Sequence, residues 1–143
     1  MPYSQDFAGS ARRHLKAAQS LYETESASAK PGNQAVAGYL FGVAGELAVK
    51  QLMRASGMRP LPNDQRREDP FFSHFPELKT RLLETGRGWH AGRLRRVAED
   101  STLFQHWDTD MRYAPTREID QQRVTAWKAS AEKLLMEMDD YGA

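Results

Sequence analysis

The stretch NQAVAGYLFGVAGELAVKQLMR, residues 33–54, is almost unbroken apolar from Ala35 to Val49. Wound at 3.6 residues per turn, it places Gly38, Gly42 and Gly45 on one narrow stripe. Val36, Leu40, Val43 and Leu47 then form a broad face roughly opposite. A helix that is apolar all round is buried on several sides. Each glycine costs a free helix about 1 kcal/mol relative to alanine, so their spacing predicts that a neighbouring helix approaches closely there. Glu46 and Lys50 interrupt the pattern, one turn apart and on the same side as Tyr39.

Before this central helix, Phe7, Ala11, Leu15, Ala18, Leu21 and Tyr22 recur at three- and four-residue steps and predict a first helix with Ser4 as its N-cap. His14 sits at the edge of that stripe as a packing residue. A polar loop over 25–33 makes the two helices an antiparallel hairpin. After Arg54 the run SGMRPLPNDQRREDP, with three prolines, predicts an irregular excursion over about 55–75, and long loops of this kind often carry function. A turn bearing Phe71 and Phe72 leads to a helix beginning near Pro76, with Leu78, Leu82 and Leu83 on its apolar side and its end at Gly86 or Gly88. Leu94, Val97 and Ala98 predict one short helix. Leu103, Phe104 and Trp107 predict another, after a Ser101-Thr102 cap. Val124, Trp127, Ala131, Leu134, Leu135 and Met138 define the last long helix. With no repeat and no alternating stretch, the expectation is a single all-α domain over 1–143, an up-and-down bundle of four main helices plus short ones.

Composition narrows the chemistry. The 143 residues include no cysteine, which removes disulfides, thiolate catalysis and Cys-ligated metals. No signal peptide is visible at the start, and the longest apolar run is too short to cross a bilayer, so the expected location is cytoplasmic, away from membranes. The formal charge of +1 covers an asymmetry: Arg54 to Arg96 carries ten basic and five acidic residues, and Val97 onward carries ten acidic and five basic. Such a split gives either a polyanion-binding face or two charged surfaces that partly pair. The four histidines, His14, His74, His90 and His106, have no metal-ligand spacing, so no metal and no cofactor are expected. The chain holds neither GxxxxGK[ST] nor GxGxxG, and no GxSxG elbow. GRGWHAG has no strand before it and is a poor phosphate cradle.

The polar residues left on or beside the buried helix are Glu46, Lys50, His74, Arg112 and Tyr113. An internal ion pair of Glu46 with Lys50, closed by Arg112, competes here with a ligand site.

These pieces together resemble a HEPN domain: ARRHLKAAQSLYE in the first helix, AGYLFGVAGELAVKQLM with the E-x-x-x-K of Glu46 and Lys50 in the second, His74 before the third, and RYA ahead of the last. The resemblance spans roughly Ala11 to Met138. It implies a helical bundle, usually a homodimer, whose members are metal-independent ribonucleases of toxin-antitoxin or defence systems or non-catalytic partners of nucleotidyltransferases. Active members carry R-x(4 to 6)-H, in which Arg stabilises charge on a phosphodiester and His moves a proton. Arg112 matches the arginine, but Arg117 stands in the place of the histidine and cannot act as a base. Arg67 and His74 also have R-x6-H spacing, one such pair being about what chance allows.

The leading expectation is therefore a catalytically degenerate HEPN-like protein that binds RNA or a nucleotide, or docks a nucleotidyltransferase or effector. Glu46, Lys50, Tyr113 and Arg117 would form its phosphate-bearing ligand site with Arg112, and Tyr113 or Trp107 would stack on a base. Two alternatives stand beside it. One is an active ribonuclease using Arg112 and His74 as catalytic residues; the other is a structural dimerising bundle with no ligand.

Overall fold

Asp6, rather than Ser4, starts the first helix: its carboxylate accepts the Gly9 N–H at 2.9 Å, meeting one of the orphan donors of a helix start. The computed structural model describes residues 3–85 and 92–142, and among them every regular element is helical. The long helices are α1 (Phe7–Tyr22), α2 (Lys30–Ala55) and, in the final place, α5 (Gln121–Gly142). Between α2 and α5 lie the shorter α3 (Glu77–Thr85) and α4 (Arg93–Glu99), with single 3-10 turns around them. This is the expected all-α bundle. The helix stop at Gly86 or Gly88, the GRGWHAG segment up to Ala91 and, within it, His90 lie outside the described residues.

α2 begins three residues earlier than its apolar pattern suggests, because Pro31 sits in the first turn, where its missing N–H costs nothing. It packs antiparallel to α1: Arg54 reaches Gln5 at 2.8 Å and lies over the Phe7 ring, while Gln34, near the other end, donates to the Tyr22 carbonyl. α5 runs antiparallel to α1 and parallel to α2, with bonds from Arg12 to Asp139, Gln19 to Glu132 and Tyr22 to Thr125. All six apolar residues expected to face inward from α5 are buried. His14, half-buried, donates from Nδ1 to the Ser10 carbonyl, 2.7 Å away.

The glycine stripe is occupied, but mostly not by a helix. A β-carbon on Gly42 would meet the Trp107 indole at 1.9 Å, and one on Gly45 would meet the Phe104 ring at 2.4 Å. Gly38 faces α5 through Trp127 and Val124, and Gly45 meets Leu134 of α5 beside the Phe104 ring. The expected helix carrying Leu103, Phe104 and Trp107 is instead a series of turns. Phe104 and His106 adopt φ values of 53° and 65°, a left-handed geometry that a continuing helix cannot contain. Those reversals drop both rings onto α2, and the Trp107 indole N–H donates to the Gly38 carbonyl at 3.0 Å. Lys79 holds the turn from the far side by donating to the carbonyls of Asp100 and Leu103; burial pushes its ammonium below the usual range, and the nearby Asp100 pulls the other way.

Candidate functional site on the flank of the central helix

The excursion after α2 is organised by one side chain. Asp69, fully buried, accepts the Leu61 N–H at 2.8 Å with one carboxylate oxygen and the Phe71 N–H at 3.0 Å with the other. The Ser73 hydroxyl donates to its carbonyl at 3.0 Å. Pro70 and Phe71 are buried beside it, Phe71 stacked on Phe7. Phe75 is then locked between Phe104, 4.9 Å between ring centroids, and the edge of Trp107. His74 lies between these anchors, so a loop with little regular structure delivers it to a defined place over α2.

There it meets Glu46. The His74 ring Nδ1 is 2.7 Å from Glu46 Oε1, and Lys50 Nζ is 2.7 Å from Glu46 Oε2. Glu46 and Lys50 are buried, while the His74 side chain is 57 % exposed. A carboxylate is an acceptor only, so the bond requires Nδ1 to carry hydrogen. In a neutral imidazole this leaves Nε2 with a free lone pair. A buried ion pair is weak as a source of stability, because desolvation offsets its attraction. Its effect on geometry is clear: Lys50 fixes one edge of the carboxylate and the other edge fixes His74.

Arg112 does not close this ion pair. It belongs to the single 3-10 turn Thr109–Tyr113, begun by Asp108, which accepts the Asp110 N–H. From there it donates to the Tyr39 hydroxyl at 3.3 Å and lies 4.9 Å from the centre of the Tyr113 ring. Its guanidinium is held above the usual range by the bond to Tyr39 first and by Tyr113 second, so it is a permanent, exposed cation. Tyr39 stacks on Trp107 at 5.6 Å. Tyr39 was not among the expected site residues; its signal was its position two turns before Glu46 on the same side of α2. Seven residues separate them, about 10 Å along the axis.

The structure therefore gathers Glu46, Lys50 and His74 at one point and places Arg112 and Tyr113 farther along the same flank. Lys50 is enclosed against Glu46 instead of facing a ligand. Tyr113 is 78 % exposed, with Arg112 over one face of its ring, whereas Trp107, at 1 %, is a core residue. Arg117 stands apart, in a groove of about 400 Å³ with Pro31, Gln34, Ile119 and Val124 where α2 and α5 begin. Among the described residues no group of three or more His, Asp or Glu is arranged to hold a metal, and no helix is long and apolar enough to cross a membrane.

Fold and site define an all-α bundle with a carboxylate-held surface histidine and, farther along the same flank of α2, an exposed arginine. Comparison with protein-family models, with curated proteins and with solved structures finds no match for the chain.

Proposed function

We propose that the protein binds single-stranded RNA along this flank and acts on it as a metal-independent ribonuclease, with His74 as the proton acceptor. The observation that supports this reading is the Glu46–His74 bond at 2.7 Å, backed by buried Lys50. It commits two charged groups inside the core to the orientation of one exposed imidazole. Nε2 takes the proton of a ribose 2′-OH, the O2′–P bond forms and the P–O5′ bond breaks. A 2′,3′-cyclic phosphate remains, and the departing 5′-oxygen takes a proton from solvent. Arg112 offsets charge on the non-bridging oxygens, and Tyr113 offers its face to a base. Glu46 is a positioning residue. The protein acts as a homodimer.

The test is cleavage of a single-stranded RNA in EDTA by a clean preparation. His74→Ala should lower the rate by about 10²-fold or more, the usual contribution of a general base. Glu46→Gln should act through His74 by changing the pH–rate profile, and Arg112→Ala should slow cleavage as well. Intact RNA after long incubation with the wild type rules out the ribonuclease.

A second reading has its own support. Arg112 is anchored on Tyr39, two turns of α2 before the Glu46 that holds His74, and Arg117 occupies the place of the motif histidine. That arrangement favours a non-catalytic protein that binds RNA or a nucleotide, or docks a nucleotidyltransferase. RNA binding that depends on Arg112, with no cleavage, is its signature.

A further inference from the structure

The groove where α2 and α5 begin holds two side chains that the rest of the molecule leaves unsatisfied. Gln34 is 6 % exposed, yet its side chain makes a single bond among the described residues, from Nε2 to the Tyr22 carbonyl at a long 3.4 Å. No donor among those residues reaches its carboxamide oxygen, and a buried acceptor without a donor calls for an explanation. Arg117 lines the same groove, exposed, with neither an ion pair nor a side-chain hydrogen bond among the described residues. The nearby carboxylates do not serve it: Glu118 and Asp120 line a separate recess with His106 and Arg123, and Asp120 accepts the Gln122 N–H at 2.8 Å.

The groove favours an anion. α2 and α5 run parallel, so the positive ends of both helix dipoles stand at this end of the bundle, and neither helix has an acidic side chain in its first turn. Pro31, Ala35, Ile119 and Val124 supply an apolar wall. A volume of about 400 Å³ lies in the range of small-ligand sites, roughly 300–1,000 Å³.

We infer that this groove binds the carboxylate of an N-acylated aliphatic amino acid, either free or at the C-terminus of a peptide. The planar guanidinium of Arg117 matches a carboxylate edge to edge. The N–H beside that carboxylate gives the Gln34 oxygen the donor it lacks, and a branched aliphatic side chain covers the apolar wall. A phosphate fits less well: largely deprotonated at neutral pH, it brings acceptor oxygens alone, and these repel the Gln34 oxygen. The site lies apart from the flank that carries His74 and does not depend on its activity.

Calorimetric titration of the intact chain with N-acetyl-L-leucine tests the site whether or not RNA is cut. N-acetyl-L-leucine should bind, and N-acetyl-L-leucinamide, which lacks the charge, should bind at least about tenfold more weakly. 4-Methylpentanoate keeps the carboxylate and the branched chain but has no N–H, and should be weaker by about three- to tenfold. Arg117→Gln, at an exposed position, should erase the preference for the acid over the amide. Gln34→Met should bring N-acetyl-L-leucine down to the level of 4-methylpentanoate and leave 4-methylpentanoate unchanged. If that variant fails to fold by circular dichroism, the same two ligands compared on the wild type report the Gln34 contact. A tetrapeptide ending in leucine that binds as tightly as N-acetyl-L-leucine identifies a chain terminus as the source, and its exclusion identifies the free acylamino acid. Absence of binding by both, equal binding of the acid and the amide, or tighter binding of inorganic phosphate or uridine monophosphate overturns the assignment.

Discussion

Lys50 has 5 % of its surface exposed and Glu46 has 6 %, and two charges so enclosed make opposite predictions depending on how they are removed. Glu46→Ala leaves an ammonium buried without its partner, which typically costs about 3–5 kcal/mol. Replacing both by apolar residues of similar volume, Glu46→Leu with Lys50→Met, should be close to neutral in urea denaturation, because desolvation disappears together with the attraction. The double variant should nevertheless lose RNA cleavage, since His74 no longer has the acceptor that orients it. If it folds stably and cleaves normally, the pair has no part in the site. The spacing of Glu46 and Lys50 was legible in the sequence as an i,i+4 pair, and so was the prominence of His74. Their meeting was not, because it depends on the Asp69 carboxylate gathering the N–H groups of Leu61 and Phe71, a contact of one side chain with the backbone that no periodicity records.

Helices read well from the sequence because each has to hide an apolar stripe, and α1, α2 and α5 show theirs. The glycine stripe of α2 was legible for the same reason, but its occupant was not. Phe104, Trp107 and Leu103 have helical spacing, and only the left-handed residues Phe104 and His106 turn that spacing into a descent onto α2. The glycines now separate two effects of the same substitution. Gly32→Ala in the first turns of α2, where an added β-carbon meets nothing within 4 Å, should gain up to about 1 kcal/mol from helix propensity. Gly42→Ala gains the same propensity but drives a methyl into Trp107, 1.9 Å away, and overpacking of that kind costs about 1–3 kcal/mol or more. Thermal melts should therefore move in opposite directions, and a Gly42→Ala protein as stable as Gly32→Ala would mean that Trp107 does not lie where it is described. The turn that carries these rings has an acid-sensitive support. Asp100 is held below the usual carboxylate range, chiefly by the Thr102 hydroxyl and then by its N–H and by Lys133. A depressed carboxyl stabilises the fold above its unfolded value of 3.8, and that stability is lost as pH falls through the folded value. Thr102→Val should reduce stability at neutral pH and flatten its dependence on pH at the acid end.

Across the whole molecule, the basic and acidic halves of the sequence do not build one broad charged face, because they pair with each other. Arg93 meets Glu137 at 3.0 Å and Arg95 meets Glu99 at 2.7 Å. With a net charge of +1, attraction to RNA has to come from a few local cations, and exposed Arg112, held by the Tyr39 hydroxyl, is the one on this flank of α2. The salt dependence of binding measures this directly, since each phosphate neutralised on a single strand contributes a slope of about −0.7 to log K against log[salt]. For a short oligouridylate the slope should be shallow, equivalent to a few phosphates. Arg112→Ala should reduce its magnitude by about 0.7, while Arg117→Ala, altering a cation in a separate groove, should leave it unchanged. Tyr113→Ala should weaken binding without changing the slope, because stacking releases no counterions. A steep slope untouched by Arg112→Ala would place the nucleic acid on the basic surface around Arg59, Arg66 and Arg67 instead, and the flank of α2 would then be a structural feature alone.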